Sequence, residues 1–156
     1  MFRCFTQDAH ASLSGEAAAR WSTPVRPAVP PRLVQAIRHH DIGWLAADAA
    51  PVFDASRQRP YDFQTLPVDE RVAIYVAGID TLEALDPLAG LLASVHFSGF
   101  VDHQRFAAFH AREEARRAVL GAAIAGDAEA IEGAAAYGLL QQLDLLSLIL
   151  CLAQPG

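Results

Sequence analysis

A helical face that is apolar except for one histidine and one aspartate is the feature that most limits how this chain can fold. Its members follow steps of four, three, one and three along the chain and are therefore expected to share one side of a helix: Leu33, Ile37, His40, Asp41 and Trp44. We expect this helix to end near Gly43. An adjacent His and Asp are costly to bury unless something pairs with them, and a metal ion could pair with both.

The helical period recurs along most of the chain. The sequence therefore predicts an all-α fold, a single domain over residues 1–156 built as a bundle of about six helices. Pro31 suits the first turn of the second helix, and Asp86-Pro87 reads as a cap followed by proline at the first helical position. Asp102 is expected to cap the fifth helix. Residues 45–66 show no clear period and are predicted to form a long loop, which in a compact domain is usually functional or disordered.

Composition excludes several kinds of site. The net charge of −6 argues against nucleic acid as a partner. All twelve basic residues are arginine, so lysine Schiff-base chemistry and a Walker-type phosphate loop are excluded. The two cysteines form no CxxC motif, which makes a cysteine zinc site or a disulfide framework unexpected. We expect a cytoplasmic protein without a membrane partner.

Polar residues on inward faces are the strongest functional signal. Singly, such a histidine is usually bonded to a carbonyl group, and such an aspartate is usually a cap or an ion-pair partner. Asp144 is the most informative, because leucines flank it and no Arg or Lys lies within one turn of it. Imidazole and carboxylate donors without thiolate suit Mn, Fe, Co, Ni or Zn, with Mg possible. The set comprises His10, His40, Asp41, His96 and Asp144.

The order of these residues resembles the HD-domain superfamily of metal-dependent phosphohydrolases, helical proteins defined by the pattern H…HD…D. The helix that ends in His40-Asp41-Ile42-Gly43 and the segment Leu143-Asp144-Leu145-Leu146-Ser147 carry this resemblance. Trp44 departs from it, since many HD enzymes have lysine there. More narrowly, the chain looks like a bacterial branch of unknown function, through the motifs Gln7–Ala11, Ser14-Gly15, His40–Trp44, Asp62-Phe63 and Ser94–Phe97.

The resemblance implies a phosphohydrolase that acts on a small phosphorylated molecule or a nucleotide. It implies that His10, His40, Asp41 and Asp144 bind one metal ion, and that His96 serves a second ion or contacts the substrate phosphate. Asp41 and His96 are then the expected catalytic residues. Residues 45–66 follow Trp44 directly and are expected to border the same pocket. Four arginines are candidates for binding phosphate: Arg20, Arg38, Arg57 and Arg59.

Two other interpretations stay open from the sequence. One is a metal-binding or sensor domain without hydrolysis, and the other is a helical dimerisation module whose inward histidines are structural. Residues 145–153 are apolar on every face. This pattern predicts either a homo-oligomer that pairs through the last helix or a last helix threaded through the centre of the bundle.

Overall fold

The computed structural model describes residues 5–22, 28–127 and 133–152. These ranges hold six helices of at least eight residues, a helix of five residues and one small hairpin, so the expected all-α fold is confirmed. In chain order the elements are α1 (Gln7–Ala19), α2 (Pro31–Arg38), α3 (Leu45–Ala49), β1 (Phe53–Asp54), β2 (Arg59–Pro60), α4 (Val68–Leu85), α5 (Pro87–Ser98), α6 (Ala107–Ala123) and α7 (Gly133–Leu152).

Most helix starts follow the local capping chemistry of the sequence. Pro31 is the first residue of α2. The Asp86 carboxylate accepts hydrogen bonds from the backbone N–H groups of Leu88 (2.7 Å) and Ala89 (3.3 Å), as expected for the cap of α5. Asp102 does not cap α6, because it accepts from the N–H of Arg105 in a turn and the helix begins only at Ala107. The expected start of the fifth helix is therefore wrong by one turn.

The helix that leads to the His-Asp pair is shorter than predicted. α2 ends at Arg38, and His39 is its C-cap with φ −111°. His40 and Asp41 lie in the turn that follows, before a short 3₁₀ turn at Ile42–Trp44. The five residues expected on one helical face are nevertheless all buried, since the turn keeps the side chains of His40 and Asp41 on the inner side of the chain.

A close contact between two glycines fixes the position of this turn. A Cβ atom on Gly43 would lie 2.5 Å from the carbonyl oxygen of Ile74 and 2.9 Å from Cα of Gly78. Side-chain carbon atoms do not approach backbone atoms this closely, so only glycine lets the turn rest directly on α4. This contact holds the preceding Asp41 against the centre of the bundle.

α5 is the central helix, because it packs against α2, α4, α6 and α7. α7 packs mainly against α1 and, less extensively, against α5. The alternative of a last helix threaded through the bundle centre is therefore wrong for this structure. The largest fully buried apolar side chains form one core: Leu33, Ile37, Ile79, Leu82, Leu88, Leu92, Leu140 and Leu143.

One face of α7 is left in solvent. By length and composition alone this helix could cross a membrane, since the segment Ala135–Leu152 has 18 residues and is mostly apolar. Of this segment, 22% is buried in the structure. The buried side of α7 carries Leu140, Leu143 and Ser147 toward the bundle. Five large apolar side chains of α7 are exposed, and Leu145 among them lines the cavity described below: Leu145, Leu146, Ile149, Leu150 and Leu152.

Residues 45–66 contain more structure than the predicted loop. They form α3 and the β1–β2 hairpin, in which Phe53 pairs with Pro60 and Asp54 with Arg59. Leu66 is buried, and Tyr61 and Phe63 pack partly against the core. These anchors hold the end of the segment against the bundle and carry the chain into α4.

Candidate metal centre

Three histidines and two aspartates from four parts of the chain meet inside the bundle. α1 supplies His10, the turn after α2 supplies His40 and Asp41, α5 supplies His96, and α7 supplies Asp144. The rings of His10 and His40 have centroids 5.4 Å apart, and those of His40 and His96 are 5.3 Å apart. The structure thus brings together all five residues that the sequence singled out.

His40 has the hydrogen bonding expected of a metal ligand. Its Nδ1 lies 2.8 Å from the carbonyl oxygen of Ile37, to which it donates. In the neutral imidazole this bond leaves the lone pair on Nε2. Nε2 is buried and has no hydrogen-bond partner, although it faces Oδ2 of Asp41 at 3.6 Å and Oδ1 of Asp144 at 3.5 Å.

Ser147 and Asp41 orient the ring of His10. Nδ1 of His10 lies 2.9 Å from the hydroxyl oxygen of Ser147, which in turn lies 2.8 Å from the Asp144 carbonyl oxygen. Nε2 of His10 lies only 2.6 Å from Oδ2 of Asp41. A nitrogen and a carboxylate oxygen approach this closely only when a proton or another cation lies between them, and the proton on Nε2 of a neutral imidazole is sufficient.

His96 completes the group from the opposite side. Its Nε2 lies 3.8 Å from Oδ2 of Asp144, and its Nδ1 is buried without a hydrogen-bond partner. The ring is surrounded by aromatic side chains, with Phe97 at 5.2 Å and Phe100 at 4.9 Å between ring centroids. Burial and the charge of His40 lower the pKa of His96 to about 4, so its imidazole is neutral near pH 7.

The two carboxylates of the cluster require a compensating positive charge. Burial opposes a charge on His40, but the carboxylates of Asp41 and Asp144 outweigh it and raise the pKa of that imidazole to about 9. Burial likewise opposes the charge of Asp144, whose pKa is nevertheless lowered by the neighbouring imidazolium of His40. Two carboxylates thus face one imidazolium, and no arginine forms an ion pair with either carboxylate in the described part of the chain.

The donor atoms also have the spacing that a shared ion requires. Ligands about 2.1 Å from one ion lie about 3.0 to 3.4 Å apart at octahedral or tetrahedral angles. The distances of 3.5 and 3.6 Å from His40 Nε2 to the two carboxylates are close to this range. Two overlapping triads have donor atoms within 4.8 Å of one another, and they share His40: His10, His40 and Asp41, and His40, His96 and Asp144. The residues therefore fit a divalent cation.

A cavity of about 440 Å³ opens onto this cluster. His10, Asp41, His96 and Asp144 all line it. The volume lies within the range of about 300 to 1,000 Å³ that is typical of small-molecule sites. The cluster is therefore accessible to a ligand of the size of a small metabolite.

Comparison with known proteins identifies the family of the chain. Residues 1–156 match a family model described as "Protein of unknown function (DUF3891)". The chain belongs to the DUF3891 family. No curated protein and no solved structure gives a significant match. The DUF3891 match agrees with the expected branch of unknown function, whereas nothing in the comparisons supports membership of the HD-domain superfamily.

The arginines expected to bind phosphate lie elsewhere in this DUF3891 chain. Arg20 and Arg38 both pair with Glu16 on α1. Arg57 pairs with Asp54, and Arg59 lies 3.8 Å from Asp62, next to the hairpin. None of these four arginines lines the cavity, although Phe63 and Gln64 from the end of the same segment do.

Arg71 does line the cavity, although no motif of the sequence singles it out. It lies in the first turn of α4, four residues before Tyr75 and eight before Ile79. These positions follow the helical period of the buried face, so Arg71 extends the core stripe that Tyr75, Ile79 and Leu82 form. The sequence signal for Arg71 is that an arginine continues the apolar stripe of the predicted helix.

Proposed function

We propose that this protein is a metal-dependent phosphohydrolase that acts on a small phosphorylated molecule, such as a nucleotide. The observation that carries the proposal is the buried cluster of two carboxylates and three imidazoles beside a 440 Å³ cavity. Burying these carboxylates is costly without a compensating cation, and the cation that faces them among the described residues is a protonated histidine. A divalent ion is the natural replacement for that proton.

The donor set favours a transition metal. Neutral imidazole suits Mn, Fe, Co, Ni and Zn, and Mg is possible where carboxylates and water dominate the ligand set. The ligands we propose are His10, His40, Asp41 and Asp144. His96 contacts Asp144 from the other side, where it can serve a second ion or donate to a substrate oxygen.

The remaining roles follow from where each side chain lies. A divalent ion held here would supply an activated water near neutral pH and would polarise a phosphoryl oxygen. Asp41 and His96 both line the cavity, so each can reach a bound substrate as well as the ligand cluster. Asp41 can accept a proton from a water molecule beside it, and His96, neutral near pH 7, can donate its N–H to a phosphoryl oxygen.

The resemblance in residue order to the HD-domain superfamily supports phosphoryl chemistry over other metal-assisted hydrolysis. A metal-binding or sensor domain without turnover is the alternative, since the same cluster could serve either role. A helical dimerisation module with structural histidines is the third interpretation, and it predicts no metal at all.

Two measurements test the proposal. We expect protein purified without chelator or a nickel column to contain close to one equivalent of metal or more, by elemental analysis. We then expect release of phosphate from a panel of small phosphomonoesters and nucleotides, which stops on addition of chelator and returns on addition of metal. Metal without turnover on the panel would favour the sensor domain. Absence of metal, even after incubation with each divalent ion, would contradict both.

A further inference from the structure

Arg71 has no anionic partner in the described part of the chain. Its Nε is buried and has no hydrogen-bond partner, and its guanidinium bonds only to neutral groups there, the Phe63 carbonyl at a long 3.4 Å and the Tyr75 hydroxyl. A guanidinium offers five N–H donors in a planar fork that fits the oxygen atoms of a carboxylate or a phosphate. Most of this capacity is unused in the described part of the protein.

The other arginines in the described ranges show how unusual this is. Each forms an ion pair with an aspartate or glutamate, apart from Arg117. Arg117 donates to the hydroxyl groups of Ser94 (3.2 Å) and Ser98 (2.9 Å). Among the arginines of the described ranges, Arg71 alone lines the cavity without an aspartate or glutamate partner. An anion that enters the cavity would supply that partner.

The same cavity offers an aromatic surface. Tyr75 stacks on Phe97 with ring centroids 4.4 Å apart, and Trp44 meets Tyr75 edge-on at 6.2 Å. Phe63 and Phe100 line the cavity as well. Aromatic walls bind flat apolar groups through stacking and burial, and they offer little to a polyhydroxylated chain.

We propose that Arg71 binds the phosphate of a phosphate ester whose organic part is flat and apolar, of the aromatic or nucleobase type. This inference rests on the proposed function, since the ion and Arg71 would hold one phosphate group between them. The ion compensates the two carboxylates, and the guanidinium compensates the phosphate oxygens that the ion does not reach. The aromatic walls then select the organic group.

Three probes separate these contributions: inorganic phosphate, phenyl phosphate and glycerol phosphate. Calorimetric titration with and without added metal gives their affinities for the wild-type protein, for Arg71→Gln and for the matched control Arg57→Gln. Loss of a charge-assisted pair predicts phosphate and phenyl phosphate binding about ten- to hundredfold weaker in Arg71→Gln. Arg57→Gln should bind as wild type, and the metal content of both variants should be unchanged because neither residue is a proposed ligand.

The aromatic part of the proposal has its own readout. Phenyl phosphate should bind the wild-type protein at least about tenfold more tightly than glycerol phosphate. Phe100→Ala removes a half-exposed ring from the cavity wall, so it should reduce this preference more than it reduces the affinity for inorganic phosphate. Equal affinities for the two esters would overturn the assignment of the aromatic walls.

The outcomes also separate this inference from the proposed function. Metal binding and turnover with unchanged phosphate affinity in Arg71→Gln would overturn the role of Arg71 alone. Failure to bind metal, with phenyl phosphate binding that still depends on Arg71, would overturn the hydrolase and keep the anion site. A wild-type protein that binds none of the probes in either condition would overturn the inference.

Discussion

Two clusters of buried charges among the described residues are built in opposite ways. One is the metal-centre cluster of His10, His40, Asp41, His96 and Asp144. The other, which we call the Glu113 cluster, comprises Asp80 and Glu83 on α4 with Arg112, Glu113 and Arg116 on α6. Glu113 is fully buried, and its carboxylate lies 3.0 Å from Nε of Arg116, which also pairs with Asp80 and Glu83.

The difference lies in where the compensating charge comes from. In the Glu113 cluster, arginines of the chain itself face the carboxylates, and burial raises the pKa of Glu113 above its ordinary value. In the metal-centre cluster the compensating charge found among the described residues is a proton on His40. The metal-centre cluster borders the cavity, whereas no residue of the Glu113 cluster lines it. Buried polar atoms without a hydrogen bond occur in both clusters, since Glu113 Oε1 and Oε2 and Arg116 Nε also lack one. The metal-centre cluster differs because no arginine of the described residues pairs with its carboxylates and because it borders a cavity.

The largest effect should come from removing both carboxylates of the metal centre. The double variant Asp41→Asn/Asp144→Asn should lose stoichiometric metal binding, because only neutral ligands remain. Elemental analysis after dialysis against metal measures this. The metal-free fold should be kept or stabilised, since two buried charges are removed, and thermal unfolding in chelator checks that point. A double variant with full metal content would show that these carboxylates are not ligands.

The opposite result is expected for the Glu113 cluster. In Glu113→Gln, Arg116 loses one of its three carboxylate partners. Breaking a buried ion pair costs about 3 kcal/mol in the free energy of unfolding. Urea unfolding of the metal-free protein measures this loss. The metal content should remain that of the wild type. If Glu113→Gln also removed the metal, the two clusters would be coupled and the contrast between them would fail.

The five metal-centre residues could be predicted because local patterns place them. A polar residue on an apolar helical face is visible in the sequence, and so is the Asp86-Pro87 cap that starts α5 and thereby sets the face of His96. Burial of His40 and Asp41 was predictable even though α2 ends earlier than expected. The turn preserves their inward direction because Gly43 seats it on α4.

Other features depend on contacts between distant segments. Arg71 faces the cavity beside Phe63, so its surroundings depend on how residues 61–66 fold over α4. The start of α6 was misplaced because Asp102 can cap a turn as readily as a helix, and the sequence does not distinguish the two. Arg57 and Arg59 were predicted to face the site because they lie in a segment that follows it in the chain. Each forms an ion pair with a nearby aspartate instead, Arg57 with Asp54 and Arg59 with Asp62.

A smaller effect per pH unit is expected from the two histidines of the metal-centre cluster whose pKa is shifted. The pKa of His40 is raised to about 9, so its contribution to metal-free stability is complete below about pH 6.5 and is lost as pH rises through 9. The pKa of His96 is lowered to about 4, so its contribution is complete above about pH 6.5 and is lost as pH falls through 4. The melting temperature of the metal-free protein should therefore peak near pH 6.5.

Each proton accounts for at most about 1.4 kcal/mol per pH unit. Thermal melts between pH 4 and 9 in chelator test the prediction. His40→Gln should flatten the alkaline side, and saturating metal should do the same in the wild type because the ion replaces the proton. An alkaline decline that is identical in His40→Gln would assign it to another group.

Substitutions on the exposed side of α7 should have the smallest effect on the two clusters and should change the oligomeric state instead. We propose that two copies of the chain pair through Leu146, Ile149 and Leu150, which are 40%, 55% and 57% exposed. A contiguous apolar patch on a protein surface usually marks an interaction site. Helices that lie on membranes carry Lys or Arg beside the apolar face, and α7 has neither. A second copy offers the same apolar surface and is therefore the better partner.

Light scattering over a range of concentrations should give a dimer for the wild type. Ile149→Glu should give a monomer, since an isologous interface meets each substitution twice and a buried unpaired carboxylate is costly. Val119→Glu is the matched control, because Val119 on α6 is 67% exposed and lies outside the proposed interface. Both variants should keep the wild-type metal content. A wild-type monomer at every concentration would exclude the dimer, and co-sedimentation with lipid vesicles would then assign the apolar face to a membrane.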